Sequence, residues 1–331
     1  MLPFKLIYSD DYYLPIGQHV FPAGKYRHIH QRLLETKVAD APDFLTPQPA
    51  SDQDILLVHT SDYVHKLKTR TLSPQEEMQL EVPFSAELVH AFWLAAGGSI
   101  LAAEHALEDG VALNIGGGFH HAFPDHGEGF CMIHDVAVAI RHMQKVGKLS
   151  KAMTVDCDVH HGNGTAAIFA GARVANQPLP STSASTVSPA KVRSGQTADV
   201  FTISLHQANN YPPYKPPSSI DVDLPDHIGD DDYLAWLDNA LSSGLRQFEP
   251  DLICYIAGAD PYKEDQLGGL SLTIEGLKKR DELVFRVARA RGIPVMVTYA
   301  GGYARRVEDT VTIHCNTVLA AKEIFTSAKL S

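Results

Sequence analysis

The sequence predicts an α/β fold, with a mostly parallel sheet covered by helices on both faces. Short apolar runs rich in β-branched residues alternate with longer helical patterns, the rhythm of a chain that crosses back over its own sheet. Polar residues cluster directly after the runs, where ligands sit in open α/β sheets. The 331 residues, 44% of them hydrophobic, suffice for one large core.

The strand-like runs are residues 55–58, 111–115, 152–155, 200–205, 252–257 and 294–299. Helical patterns lie near 85–108, 134–147, 231–247, 274–291 and 307–327. Asp230, Asp231 and Asp232 suit the start of the third helix, by capping and by the macrodipole. Residues 176–198 are rich in Ser, Thr and Pro and lack aromatics, so they read as a flexible surface insertion. No internal repeat or domain boundary is visible, and residues 1–331 read as a single catalytic domain.

The net charge is −11, which argues against nucleic acid as a direct ligand and suits basic substrates such as lysine-rich tails or polyamines. Cys131, Cys157, Cys254 and Cys315 are scattered singly and read as reduced, mostly buried thiols. The N-terminus lacks the apolar core of a signal peptide, and no window approaches a membrane span. The expectation is a soluble, cytoplasmic protein of undetermined oligomeric state.

The richest stretch is residues 156–164, Asp-Cys-Asp-Val-His-His-Gly-Asn-Gly. Side chains alternate along a strand, so Asp156, Asp158 and His160 are expected to share one face. Two carboxylates and an imidazole aimed at one spot call for a cation, and mixed oxygen and nitrogen donors suit zinc or another first-row divalent metal. Alone, an Asp-x-Asp is more often a polar strand end. Here, however, other strands also end in polar residues. One run leads into Gly116-Gly117-Gly118-Phe119-His120-His121, another into His206, another into Gly258-Ala259-Asp260, and the last into Gly301-Gly302-Tyr303. Core packing gives no reason for such convergence.

These blocks, together with Gly127-Glu-Gly-Phe-Cys131, Asp135-Val-Ala-Val-Ala, Ile203-Ser-Leu-His206 and Leu267-Gly-Gly-Leu-Ser-Leu-Thr, resemble the zinc-dependent histone deacetylase family. The match runs in order from about residue 5 to 325 apart from the insertion. The segments from His19 to Tyr26 and from Tyr255 to Pro261 look most like class IV and bacterial members. The resemblance implies the arginase/deacetylase α/β fold. It makes Asp158, His160 and Asp260 the ligands of one zinc. It makes His120 and His121 the paired imidazoles, with His121 as general base and acid, Asp156 holding His120, and Tyr303 donating to the oxyanion. Phe130 and Tyr211 would clasp the lysine methylenes, with Gly129 and Gly302 allowing close approach. Leu267 stands where polyamine-selective relatives carry an acidic residue. Asp156, Asp158, His160, Ser204 and Leu205 match a potassium site of relatives.

Two departures stand out. Asn163 replaces a second aspartate that orients the second histidine in many relatives, and His134 replaces an asparagine before the Asp135 helix. His134 reads as a helix-start residue. The implied activity is removal of acetyl or longer acyl groups from lysine side chains, with acetylpolyamines or small acetylated metabolites as alternative substrates. An arginase-like enzyme with two manganese ions and a non-catalytic acyl-lysine-binding module are the rival readings.

Overall fold

The computed structural model describes residues 1–170 and 199–326. Its sheet has eight strands: β1 (Lys5–Ile7), β2 (Phe44–Leu45), β3 (Val111–Asn114), β4 (Ala152–Asp156), β5 (Val200–Gln207), β6 (Ile220–Leu224), β7 (Leu252–Ile256) and β8 (Val295–Thr298). Every pairing is parallel, in the order β2-β1-β3-β8-β7-β4-β5-β6. The helices are α1 (Lys25–Glu35), α2 (Asp52–Ile55), α3 (Ser61–Thr69), α4 (Pro74–Leu80), α5 (Ala86–Asp109), α6 (Asp135–Lys145), α7 (Asn163–Phe169), α8 (Asp230–Gln247), α9 (Ile274–Ala290) and α10 (Val307–Thr326).

The central strands are apolar on both faces, and their alternate residues feed two cores. Ala112, Cys254, Ile256 and Met296 pack with α5 and α6. Leu113, Ile253, Tyr255 and Val297 pack with α8, α9 and α10 on the other side. This two-sided burial explains why the strands read as continuous apolar runs. All four cysteines are free and buried.

Three expectations need correction. Residues 55–58 are not a strand. Ser51 and Asp54 form a capping box that starts α2, and local capping overrides the β-branched bias of the run. Strands β1, β2 and β6 were not foreseen: the first two are very short, and β6 (Ile-Asp-Val-Asp-Leu) is an edge strand whose alternation carries acidic residues. Helix α5 is long and apolar enough to cross a membrane by length and composition. It is a core helix here, with 61% of its apolar window buried inside the protein. The insertion at 176–198 lies outside the described residues.

Strands β3, β8, β7 and β4 lie side by side. Their carboxyl ends therefore bring the segments at 116–121, 301–303, 258–260 and 156–161 together, although these are far apart in the chain.

Candidate active site

Strand β4 stops at Asp156, and the chain bends through Asp158, Val159 and His160. The same-face expectation for 156, 158 and 160 therefore fails, and the bend gives the two aspartates different tasks. Asp156 turns to His120, with Oδ2 2.7 Å from Nδ1. A carboxylate only accepts, so the His120 proton sits on Nδ1. Asp156 Oδ1 also accepts from the Asp158 backbone at 3.1 Å.

Asp158 and Asp260 face His160 instead. His160 Nδ1 lies 3.0 Å from Asp158 Oδ1 and 3.4 Å from Asp260 Oδ2. Backbone amides fix both carboxylates: Gly301 N donates to Asp158 Oδ2 at 2.9 Å, and Val159 N donates to Asp260 Oδ1 at 2.9 Å. Asp260 Oδ2 is buried without any hydrogen-bond partner. Ligand atoms of the three residues lie within 4.8 Å of one another. Two buried carboxylates around one imidazole nitrogen, with one oxygen unsatisfied, fit a divalent cation bound by three protein ligands. Burial alone would push His160 down, but Asp158 and Asp260 outweigh it and carry the imidazole up to about 10, a measure of how strongly the two carboxylates favour positive charge at this point.

The two loops are anchored from behind by a residue not foreseen from the sequence. Arg280 of α9 is fully buried and donates to the carbonyls of Gly258 at 2.6 Å and Cys157 at 3.3 Å, next to both aspartates. Its charge is met by Asp281 at 2.9 Å, which also takes hydrogen bonds from Tyr255 and Thr317. Its signal was a charged pair inside the apolar face of a helix. We expect Arg280→Met to lower unfolding stability by about 3–5 kcal/mol in urea titration, because Asp281 is left buried without its cation.

The histidine loop is held in the same manner. Asp135, also buried, accepts from Gly118 N at 3.0 Å, Phe119 N at 2.8 Å and Ser99 Oγ at 2.5 Å. Gly118 has φ +85° and backs onto the Ala300 backbone, which leaves no room for a side chain. Lys25, buried and also unforeseen, donates to the Ala300 carbonyl at 2.6 Å. Burial brings its ammonium down to about 8 despite the aspartates nearby.

His121 Nδ1 lies 2.7 Å from Asn163 Oδ1. Burial, then His120 and His160, hold its imidazole well below the ordinary range. Burial would lower His120 too, but Asp156 and Asp158 bring it up to about 9. The Tyr303 backbone donates to Asp265 at 2.6 Å, and its phenol is pushed well above the usual range by burial and by Asp158 and Asp260. It stays an O–H donor. Asp265, missed in the sequence, also accepts from Leu267 N at 2.8 Å and so sets two walls at once.

A cavity of about 180 Å³ leads to this floor. His121, His160 and Tyr303 line it together with Phe130, Tyr211 and Leu267. Gly129 lines it as expected, and Glu81 and Asn210, not foreseen, line it too. Gly302 is not among the lining residues. A side chain there would meet Thr310 and Ala259, so its role is packing behind the site. Ser204 pairs in register with Asp156, and Leu205 follows it.

Residues 19–318 match the histone deacetylase domain. This chain belongs to the histone deacetylase family. It is 38% identical to an uncharacterized protein of Picosynechococcus, over 97% of this chain and 99% of that one. It is 30% identical to histone deacetylase 2 of Arabidopsis thaliana, over 93% and 77%. It is 29% identical to the acetoin utilization protein AcuC of Bacillus subtilis, over 81% and 69%. In fold it is similar to an HDAC homolog solved in complex with SAHA, with a TM-score of 0.74 and 24% identity, over 97% of this chain and 84% of that one.

In this family member, His134 is the N-cap of α6, as its position suggested. Its Nδ1 accepts from Ala137 N at 3.2 Å, so the proton is on Nε2 and goes to Thr165 Oγ1 at 2.8 Å. A second donor group, His161, His206 and Asp221, also gathers within 4.8 Å. His161 Nε2 meets Asp221 at 3.2 Å, and His206 meets Asp223 and Ser204 at 3.0 Å each, while His161 Nδ1 is buried without a hydrogen-bond partner.

Proposed function

We propose that this deacetylase-family hydrolase is a zinc-dependent lysine deacylase, and that its own residues bind, orient and protonate the acyl-lysine amide. The observation that carries the reading is the meeting of Asp158, His160 and Asp260 beneath a cavity that also exposes His121 and Tyr303. A zinc ion held by those three residues would supply Lewis acidity, polarising the amide carbonyl and lowering the pKa of a water.

The chain's residues do the rest. Phe130, Tyr211 and Leu267 give the cavity apolar walls that suit the methylenes of a lysine side chain. His121 is neutral, with its proton on Nδ1, so Nε2 is free to take a proton from the attacking water and return it to the leaving amine. His120, kept charged by Asp156, tunes the field without competing for that proton. The Tyr303 O–H donates to the oxygen that becomes negative in the tetrahedral state. Asp156, Ser204 and Leu205 are our assignment for a potassium ion beside the zinc site.

Leu267 favours acyl-lysine over acylpolyamine, because an apolar wall offers no partner to the distal ammonium of a polyamine. Asp260 is followed by Pro261 and Tyr262 rather than a further carboxylate, which favours one zinc over two manganese ions. We assign residues 1–331 to one catalytic domain, and we place the protein in the cytoplasm.

Two measurements test the reading. The zinc-loaded protein should hydrolyse lysine peptides carrying acetyl to myristoyl groups faster than acetylated polyamines; the reverse order would move the assignment to the polyamine alternative. Tyr303→Phe should lower kcat about 10²–10³-fold at unchanged zinc content. Turnover that survives intact in this variant would remove Tyr303 from the mechanism.

A further inference from the structure

Asn163 raises a question that the deacylase reading leaves open. It is a neutral amide beside the proposed general base, and nothing in its own chemistry can balance a positive imidazolium. The charge is present one residue further out. Asn163 Nδ2 makes a short hydrogen bond to Glu128 Oε1. The Glu128 side chain is only 16% exposed. It also accepts from Gln79 Nε2 at 3.2 Å, and His126 Nε2 lies 3.7 Å from it.

These contacts fix the amide. A carboxylate only accepts, so the NH₂ group of Asn163 must face Glu128. Gly164 N donates to Asn163 Oδ1 at 3.1 Å, which marks the other end as the oxygen. That oxygen lies 2.7 Å from His121 Nδ1. The reversed amide would set Oδ1 against the carboxylate and lose the Gly164 bond. The chain of donors therefore runs one way, from His121 Nδ1–H to Asn163 Oδ1, and from Asn163 Nδ2–H to Glu128.

We propose that Glu128 is the remote carboxylate of the base assembly, a positioning residue that orients and electrostatically supports His121 through the Asn163 amide. Hydrogen bonds in such a chain polarise one another in a low-dielectric interior, so negative charge on Glu128 strengthens Oδ1 as an acceptor. As His121 takes a proton, its Nδ1–H bond to that acceptor strengthens, and the proton itself stays on Nδ1. Burial works against ionisation of Glu128, but His126, Asn163 and Gln79 outweigh it and hold the carboxyl below its ordinary range. The charge is thus available at neutral pH.

The kinetic part of the proposal rests on the deacylase reading; the hydrogen-bond part does not. The test is a reciprocal swap. Glu128→Gln keeps the shape and an acceptor but removes the charge, and kcat should fall about 10-fold with KM within about twofold. Asn163→Asp alone sets two carboxylates face to face and should fall at least as far. Together the substitutions restore a single charge, now directly on His121, with the new amide at position 128 donating to the new carboxylate at position 163. The double variant should return to within about threefold of the parent. Losses that simply add, or a Glu128→Gln variant with parental kcat, would overturn the proposal, because a structural role predicts no rescue.

Nitrogen-15 NMR of labelled histidines gives a readout that needs no turnover. The parent should show His121 as the Nδ1–H tautomer, with that proton moving upfield in Glu128→Gln and downfield in the double variant. An Nε2–H tautomer, or an Nδ1 proton indifferent to Glu128, overturns the relay even in a protein that proves inactive on lysine peptides. An inactive parent with the expected tautomer and shifts overturns the deacylase reading and leaves the relay standing.

Discussion

Asp260→Ala should abolish zinc binding and turnover together. One of three ligands is lost, and with it the buried carboxylate oxygen that no protein group satisfies. Transition-state stabilisation from a catalytic metal amounts to several kcal/mol, so turnover should drop by more than about 10³-fold. The fold should survive. Val159 N loses its acceptor, at a cost of about 1–3 kcal/mol, while the repulsion between Asp158 and Asp260 is relieved. Elemental analysis and thermal unfolding with and without zinc separate these effects. The parent should gain thermal stability with zinc by mass action, and the variant should not. A variant that retains one zinc per chain would show that the ligand set is wrong.

His121→Ala should behave in the opposite sense toward the metal. It makes no hydrogen bond to any of the three proposed ligand residues, so zinc content should stay at the parental level. Turnover should fall by about 10²–10⁴-fold, the range for a lost general acid–base group. Because burial and the neighbouring imidazoles hold His121 below the ordinary range, its basic neutral form persists into mild acid. The acid limb of kcat/KM in the parent should therefore lie below about pH 6.5, and His121→Ala should remove it. Full activity in this variant would transfer the role of base to His120.

The reading of the sequence succeeded where residues act through their own strand. Buried parallel strands are apolar on both faces, so five of the eight strands are visible as runs, with polar residues directly after them. Such runs say little about edge strands, and β6, with its acidic alternation, escaped for that reason. The proposed ligand and histidine positions could be named because short motifs around them resemble those of the family. Asp265, Arg280 and Lys25 could not, since each acts on the backbone of a loop from another part of the chain. Glu128 stood in plain view within Gly127-Glu-Gly-Phe, but only the Asn163 contact gives it meaning. The strand-alternation argument for Asp156, Asp158 and His160 does not hold, because the strand ends at Asp156 and that residue turns to His120 instead.

The strand order has a consequence for how the protein matures. Asp260 is fastened to a backbone amide 101 residues earlier, and Asp158 to one 143 residues later. Neither half of the site can be completed by local folding, since β4, β7 and β8 must already lie side by side. A nascent or nicked chain that has not docked β8 offers zinc an incomplete set of restraints, whatever helices it has formed. On the proposed zinc reading, tight capture of the metal is a checkpoint on the finished sheet, and reactivity comes only after the longest-range contacts have closed.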